Sequence, residues 1–327
     1  RLCSSAASDV YKRQIVKMLS ENQESVSWWM RNDDNITHIK RYGNNPNYIS
    51  AAELLPEKLT IGSDINTIVE AADCIVLVVP SVFLKKTLES LSVSIKDKFV
   101  VSAIKGIVPE NNTIIGDYLH ENYHIPYENI GVITGPCHAE EVALERLSYL
   151  TVACEDVRKA EWFAEQITCR YIKTNVSEDI YGTEIAAVLK NVVAIASGVC
   201  HSLGYGDNFQ AVLASNAIRE IKRFVDTVHP IKRDIKESAY LGDLLVTVYS
   251  QFSRNRTFGN MIGKGYSVKS AQLEMNMVAE GYYAVKCIKE INEQYSIDMP
   301  ITEAVYHILY EKISPVIEMR LLSDNLN

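Results

Sequence analysis

The stretch Cys-Ile-Val-Leu-Val-Val at positions 74–79, followed directly by Pro80 and Ser81, indicates the fold of the first half of this chain. Because it is apolar on both faces, it is typical of a central parallel strand that helices cover on each side. Similar runs alternate with helical patterns, and we predict further strands at 26–29, 99–104, 130–134, 150–153 and 170–173. This alternation predicts an α/β domain with a ligand crevice along the carboxyl ends of its strands.

The second half of the chain has a different pattern. From about residue 177 onward helical periodicity prevails, with helix-length segments at 207–225, 279–294 and 301–312. We therefore expect two domains, an α/β domain over 15–175 and an all-helical domain over 176–327. A chain of 327 residues, 47% of them hydrophobic, is long enough to bury two such cores.

The overall composition argues against several classes of function. A net charge of -8 does not suit a surface that neutralises a nucleic-acid backbone. The seven cysteines are scattered and form no C-x-x-C pair, so neither a metal site nor a disulfide framework is predicted. Lys190 and Asn191 interrupt the longest apolar run, so we expect no membrane anchor. These features predict a protein of the reducing cytoplasm.

Lys190 lies next to Asn191 inside that longest apolar run, at 185–199. An ammonium group in a buried helix is costly unless a partner compensates its charge. Two interpretations are open: a lysine that extends along the helix to reach water, or a functional group in a site. The run alone does not decide between them.

Four polar clusters elsewhere in the chain bear on this choice. They are Ala103-Ile104-Lys105-Gly106; Thr134-Gly135-Pro136-Cys137-His138-Ala139-Glu140-Glu141; Gly242-Asp243-Leu244 with Thr247, then Ser253-Arg254-Asn255-Arg256 before Phe258-Gly259; and Val278-Ala279-Glu280-Gly281-Tyr282. Together with Leu189-Lys190-Asn191, their order and spacing closely resemble those of the bacterial NAD(P)-dependent glycerol-3-phosphate dehydrogenases. The resemblance extends over about residues 15–322.

This resemblance implies an oxidoreductase that interconverts dihydroxyacetone phosphate and sn-glycerol 3-phosphate and feeds glycerophospholipid synthesis. Lys190 would be the catalytic acid and base, since burial lowers a lysine pKa towards the working pH. Asp243 and Thr247 would orient it, although a helix cap is the alternative for Asp243. The implied substrate site comprises Lys105, Gly135, Cys137, Lys190, Asn191, Asp243, Thr247, Ser253, Arg254 and Asn255.

Within this site, Arg254 and Asn255 offer a planar fork donor and an amide for a phosphate, beside the hydroxyl of Ser253. Cys137 departs from the family, where Ser or Thr is common at this position, and a thiol is the weaker hydrogen-bond donor. Arg256 is interpreted as a surface arginine.

For the cofactor, the resemblance implies NADPH or NADH bound by a Rossmann-type domain. A basic residue at the end of the second strand accommodates the 2′-phosphate of NADPH, so Arg31 favours NADPH. The acidic residues Asp33 and Asp34 follow closely and leave NADH open. The implied cofactor contacts are Arg31, Pro80, Phe83, Lys105, Ala139, Arg254, Val278 and Glu280.

The first residues do not fit this pattern. A dinucleotide-binding domain opens with a strand and a G-x-G-x-x-G turn, yet no glycine precedes Gly43. Residues 1–14 show no strand periodicity, so we expect a domain that lacks its first strand and its glycine loop. We interpret residues 1–14 as foreign sequence that replaces the true start of the gene, and expect this chain to be poorly soluble or inactive.

Two other functions remain open on the sequence. One is a related two-domain β-hydroxy acid dehydrogenase, against which Lys105 and the cluster 253–256 favour a phosphorylated triose. The other is an inactive fragment that binds no dinucleotide. The expected partners are the small-molecule substrate and, from the resemblance, a second copy in a homodimer.

Overall fold

The computed structural model describes residues 2–5, 9–44, 54–275 and 278–327, with residues 2–5 and 9–13 described by their backbone alone. The chain divides into two compact units. The sheet unit comprises Arg1–Ile104 and Ile115–Ile180, and the helical unit comprises Lys105–Ile114 and Tyr181–Asn327. The division after Ile180 lies close to the predicted boundary.

An eight-stranded sheet forms the centre of the sheet unit. The strands of the described residues are β1 (Leu2–Ser5), β2 (Val26–Trp29), β3 (Leu59–Gly62), β4 (Cys74–Leu77), β5 (Phe99–Ser102), β6 (Ile107–Val108), β7 (Thr113–Ile114), β8 (Ile130–Thr134), β9 (Ser148–Cys154) and β10 (Ile172–Ser177). The sheet order is β3-β2-β1-β4-β5-β8-β9-β10, while β6 and β7 form a separate hairpin. Within the sheet, only β8 and β9 are antiparallel neighbours in the described residues.

The α/β fold class is confirmed, and each predicted strand overlaps an observed one. The run that begins at Cys74 forms β4, with every residue buried, as expected for a central parallel strand. Strand β3 was not predicted, and the antiparallel pairing of β9 also differs from the expected parallel sheet.

Strand β1 shows that the expectation of a missing first strand was wrong. It pairs in parallel with β2 on one side and with β4 on the other, so it lies inside the sheet. Hydrogen bonds from two neighbouring strands satisfy its backbone, and such pairing does not require an alternation of apolar and polar side chains. Residues 9–14 also belong to helix α1 (Asp9–Asn22), and the connection at 6–8 lies outside the described residues.

Helices cover the sheet and form the second unit. The remaining helices are α2 (Asp33–Tyr42), α3 (Ile65–Glu70), α4 (Ser81–Leu88), α5 (Ile115–Tyr123), α6 (Ala139–Ala143), α7 (Val157–Ile167), α8 (Ile180–Ser202), α9 (Asp207–Val228), α10 (Asp243–Tyr249), α11 (Arg254–Gly263), α12 (Val268–Glu274), α13 (Glu280–Asn292), α14 (Pro300–Tyr306) and α15 (Pro315–Asn325). Short π-helical turns at Ser238–Gly242 and His307–Glu311 precede α10 and follow α14.

Helix α8 is the core helix of the helical unit. Its residues from 182 to 200 are buried on every side, as an all-round apolar helix requires. By length and composition alone it could cross a membrane, but 89% of its most apolar 18-residue window is buried inside the fold. Burial of this kind is typical of a core helix.

The segment Lys105–Ile114 corrects the predicted domain division, which assigned it to the α/β domain. Ile107 and Ile114 belong to the same hydrophobic core as Val188 and Val192 of α8. Asn112 Nδ2 also donates to Glu290 Oε2 at 2.5 Å. The apolar faces of this hairpin pack on helices that follow much later in the sequence, which a local pattern does not reveal.

Candidate active site

Lys190 and Asp243 form a buried ion pair in the helical unit. Nζ of Lys190 contacts Oδ1 of Asp243, and the two side chains are 5% and 2% exposed. A lysine that reaches water along its helix keeps its amine hydrated, so this burial rules out that interpretation. The carboxylate instead compensates the ammonium charge within the fold.

Lys105 is the second cation on the same carboxylate. Its Nζ lies 3.4 Å from Oδ2 of Asp243, and its side chain is 21% exposed. Two ammonium groups therefore flank one carboxylate, which leaves a net positive charge when all three are ionised. Such a cluster suits an anionic ligand.

The pKa values of this cluster are strongly shifted. Burial lowers the pKa of Lys190 to about 7, the Asp243 carboxylate opposes that shift, and the Lys105 ammonium adds to it. Burial by itself would raise the pKa of Asp243, but the ammonium groups of Lys105 and Lys190 bring it below its ordinary value. Lys190 can therefore exchange a proton near neutral pH, beside a carboxylate that stays ionised.

The main chain of Asp243 is held from both directions. Its N–H donates to the carbonyl oxygen of Ser238 in the π-helical turn, and the Thr247 hydroxyl donates to its carbonyl oxygen at 2.6 Å. Thr247 was expected to orient Lys190, but this hydrogen bond acts on Lys190 through Asp243. The N-cap of α10 is Gly242, so Asp243 does not cap that helix, although its N–H caps the preceding π-helical turn.

Asn191, the neighbour of Lys190 on α8, connects the helix to the segment of Lys105. Its Nδ2 donates to the main-chain carbonyl of Lys105 at 2.8 Å. Asn191 was predicted to contact substrate, whereas this hydrogen bond is directed at the protein main chain.

The cluster 253–256 starts helix α11. Ser253 is the N-cap, and its Oγ accepts from the N–H of Arg256 at 3.3 Å. Asn255 Oδ1 accepts a hydrogen bond from the N–H of Gly281 at 2.9 Å. This contact fixes the orientation of the amide and leaves its Nδ2 as the hydrogen-bond donor for another group. Arg254 is the first helical residue and is partly exposed. The sequence therefore places a guanidinium and an amide at a helix N-terminus, where anions are favoured.

Glycines set how closely α11 packs on α8. A β-carbon at Gly259 would overlap the carbonyl oxygen of Ile195, and one at Gly198 would overlap that of Arg256. Only glycine permits this approach of two helix backbones. This contact was not predicted, and its signal in the sequence is two glycines inside otherwise well-formed helical patterns.

The sheet unit carries the remaining predicted substrate residues and one cofactor residue after strand β8. Gly135 has φ +116, and a β-carbon there would meet the carbonyl oxygen of Tyr149 at 2.8 Å, so this turn requires glycine. Cys137 is buried, and its Sγ accepts a hydrogen bond from Gln14. Ala139 is the first residue of α6 and is also buried.

The other predicted cofactor residues lie at separate points of the fold. Arg31 follows β2 and is exposed, Pro80 is the N-cap of α4, and Phe83 on α4 is 44% exposed. Because β2, β4 and β8 run in the same direction within the sheet, Arg31, Pro80 and Gly135 follow the carboxyl ends of their strands at one edge. Val278 and Glu280 flank the start of α13 in the helical unit.

The residues at this sheet edge fit a dinucleotide in part. An exposed basic residue after β2 and an exposed aromatic ring after β4 suit a phosphorylated ribose and a flat base or nicotinamide. The connection from β1 to α1 contains no glycine to let the backbone approach a pyrophosphate closely. No group of three or more potential metal-ligating side chains occurs among the described residues.

Family models match both halves of the chain. The NAD-dependent glycerol-3-phosphate dehydrogenase N-terminus model matches residues 11–160, and the C-terminus model matches residues 179–319. This chain belongs to the NAD-dependent glycerol-3-phosphate dehydrogenase family. The NAD(P)+ glycerol-3-phosphate dehydrogenase of Staphylococcus carnosus is 30% identical over 312 residues, which cover 94% of this chain and 93% of that protein.

Solved glycerol-3-phosphate dehydrogenases share the two-domain fold. The enzyme from Coxiella burnetii superposes with a TM-score of 0.89 at 24% identity, over 98% of both chains. The enzyme from Saccharomyces cerevisiae superposes with a TM-score of 0.81 at 25% identity, over 98% of this chain and 99% of that one. The Rossmann-like domain followed by a helical domain is therefore the fold of this glycerol-3-phosphate dehydrogenase family member.

Proposed function

We propose that this chain interconverts dihydroxyacetone phosphate and sn-glycerol 3-phosphate with NAD(P)H, and that Lys190 moves the proton at the C2 oxygen. The observation that carries the proposal is the buried Lys190–Asp243–Lys105 cluster in a member of this family. When bound, the nicotinamide supplies or accepts the hydride at C2.

In the reduction, the ammonium group of Lys190 donates a proton to the oxygen at C2 and becomes a neutral amine. Asp243 holds the ammonium form in place, and Thr247 supports the Asp243 main chain. Lys105 adds a positive charge that stabilises the developing oxyanion. In the oxidation, the neutral amine of Lys190 accepts the proton from the C2 hydroxyl.

The pH dependence follows from the pKa of Lys190, which burial lowers to about 7. Reduction needs the ammonium form, so kcat/KM for dihydroxyacetone phosphate should fall as pH rises through about 7. Oxidation needs the neutral amine, so kcat/KM for sn-glycerol 3-phosphate should rise over the same range. Steady-state rates in both directions between pH 5.5 and 9 measure this. If kcat/KM rose with pH for both reduction and oxidation, or fell with pH for both, the role of Lys190 would be contradicted.

Arg254 and Asn255 are the proposed phosphate clamp. Replacing Arg254 with alanine should raise KM for dihydroxyacetone phosphate by about 100-fold, since a charge-assisted fork donor at a helix N-terminus is lost. The rate with unphosphorylated dihydroxyacetone should change little. Arg256→Ala, two residues further along α11, is the matched control. An equal loss of rate with both substrates in Arg254→Ala would contradict the clamp.

The substrate is tested by following NADPH oxidation with dihydroxyacetone phosphate and with a panel of short 3-oxo acids. Activity with dihydroxyacetone phosphate alone supports the proposal. Activity only with the acids would favour the alternative, a β-hydroxy acid dehydrogenase. The same assay with NADH compares the cofactors, and we propose a preference for NADPH because Arg31 is exposed directly after β2.

We also propose that residues 1–14 are foreign to the native gene product. No glycine precedes Gly43, and residues 1–10 lie outside the match of the N-terminal family model, which includes residues 11–14. Sequencing the genomic locus tests this: codons for a G-x-G-x-x-G turn before Ile15 would support it, and the codons of residues 1–14 in frame would contradict it. The chain should therefore be assayed beside a version with the genomic start, because loss of the glycine loop weakens cofactor binding.

The cellular setting is part of the same proposal. We place the enzyme in the cytoplasm, where its reductive direction supplies sn-glycerol 3-phosphate for glycerophospholipid synthesis.

A homodimer is also proposed, and the exposed apolar side chains of Val316, Ile317 and Leu321 on α15 support it. Light scattering should give twice the chain mass of 36.8 kDa, and the single-chain mass would contradict a dimer.

A further inference from the structure

The side chain of Asn191 connects two parts of the cluster that are far apart in sequence. Asn191 follows Lys190 on α8, is 6% exposed, and donates through Nδ2 to the carbonyl oxygen of Lys105 at 2.8 Å. Lys105 is the first residue of the segment that leads into β6. One helix therefore carries the proposed acid and base and also holds the main chain of the second lysine.

The position of the Lys105 main chain determines where its ammonium group can lie. A lysine side chain has four rotatable bonds and is 21% exposed here, so contacts of its ammonium group alone hold it loosely. The hydrogen bond from Asn191 restricts the main chain of Lys105, and with it the Cα atom from which the side chain extends. From this position Nζ of Lys105 reaches Oδ2 of Asp243, while Lys190 contacts Oδ1.

We propose that Asn191 is a positioning residue, which holds Lys105 so that the two ammonium groups flank opposite oxygens of Asp243. The inference rests on the proposed function of Lys190 and Lys105. It differs from direct substrate binding by Asn191, because the effect of Asn191 would pass entirely through Lys105.

This role has a consequence for Lys190. The charged groups that act on its ammonium are the Asp243 carboxylate and the Lys105 ammonium, and Lys105 helps to lower the pKa of Lys190. If the amide of Asn191 is removed, the main chain of Lys105 loses this hydrogen bond, its ammonium group shifts relative to Asp243, and its repulsion of the Lys190 ammonium weakens. The pKa of Lys190 should then rise.

The experiment is an NMR titration of the full chain labelled with ¹³C and ¹⁵N lysine, in which the Lys190 resonance is assigned by its loss in Lys190→Met. Asn191→Ala should raise the pKa of Lys190 by at least about half a unit. Asn191→Leu, which fills the volume without a donor, should do the same and replaces the alanine variant if that one fails to fold. In a Lys105→Met background, Asn191→Ala should produce no further shift.

Asn292→Ala is the matched control. Asn292 is also a buried amide in the helical unit, 7% exposed, and it bonds to the main chain of Ile297. Its replacement should lower Tm and leave the pKa of Lys190 unchanged. An unchanged pKa in Asn191→Ala, or the same shift in the presence and absence of Lys105, would overturn the proposal.

A second readout uses turnover. Asn191→Ala should lower kcat for dihydroxyacetone phosphate in the wild-type background and should lower it little in the Lys105→Met background. The reason is that the effects of substitutions at interacting residues are not additive. Equal fold-losses in both backgrounds would indicate that Asn191 contacts the substrate itself. The titration needs no turnover, so inactivity of the version with the genomic start would contradict the proposed function and still leave the role of Asn191 decided.

Discussion

Replacing Lys190 with alanine is expected to lower kcat for the reduction of dihydroxyacetone phosphate by about three orders of magnitude. The variant lacks the group that donates the proton, while Lys105, Arg254 and Asn255 still offer the substrate their positive charge and hydrogen-bond donors. KM should therefore change much less than kcat. Steady-state kinetics with NADPH at pH 7 measure both constants.

Lys17→Ala is the matched control for this substitution. Lys17 is also a lysine on a helix with a buried side chain, 10% exposed, and its Nζ lies 3.0 Å from Glu145 Oε1. Its replacement removes a partly buried ion pair in the sheet unit and should lower Tm with little effect on kcat. If Lys190→Ala reduced kcat no more than Lys17→Ala does, Lys190 would have only a structural role.

Gly259→Ala is expected to cause a large loss of stability in the helical unit. The added β-carbon would overlap the carbonyl oxygen of Ile195, and both atoms belong to helix backbones that have no flexible end to move aside. Helices α8 and α11 would have to separate, at a cost of about 3 kcal/mol in the free energy of unfolding. Because α8 carries Lys190 and α11 carries Arg254, activity should fall as well. Denaturant unfolding measures the change in stability.

Gly206→Ala tests whether the lost stability comes from the close contact. A β-carbon at Gly206 meets no atom within 4 Å, and its φ of -81 suits any residue. This variant should change the free energy of unfolding by less than about 1 kcal/mol. Equal destabilisation by the two substitutions would contradict the proposed packing of α8 on α11.

The sequence predicts those strands of the sheet whose side chains are all buried. It does not predict a strand that is recognised only by the pairing of its backbone with neighbouring strands. The run at Cys74 shows its role because every side chain of β4 is buried. Strand β1 shows no such pattern, and it was recognised only from its pairing with β2 and β4. The hairpin of Ile107 and Ile114 belongs to the helical unit through contacts with residues that follow much later, which a local pattern does not contain.

In the site, the residue types could be predicted from the sequence, but several of their atomic contacts could not. Lys190, Asp243 and Lys105 were predicted from the motif order, and the structure brings their charged groups together. The hydrogen bonds of Thr247 and Asn191 to main-chain carbonyls were not predicted, since a motif gives residue types without the atoms they contact. The close approach at Gly259 was also missed, because it depends on two helices whose packing no short motif records.

The proton transfer by Lys190 is tested most directly by chemical rescue of Lys190→Ala with small primary amines. We expect alkylammonium ions to restore reduction of dihydroxyacetone phosphate in a saturable way, with a rate that depends on the pKa of the added amine. Tetramethylammonium, which carries the charge without a transferable proton, should not restore it. Equal rescue by tetramethylammonium, or no rescue by any amine that fits the space of the missing side chain, would contradict the assignment of Lys190 as the acid and base.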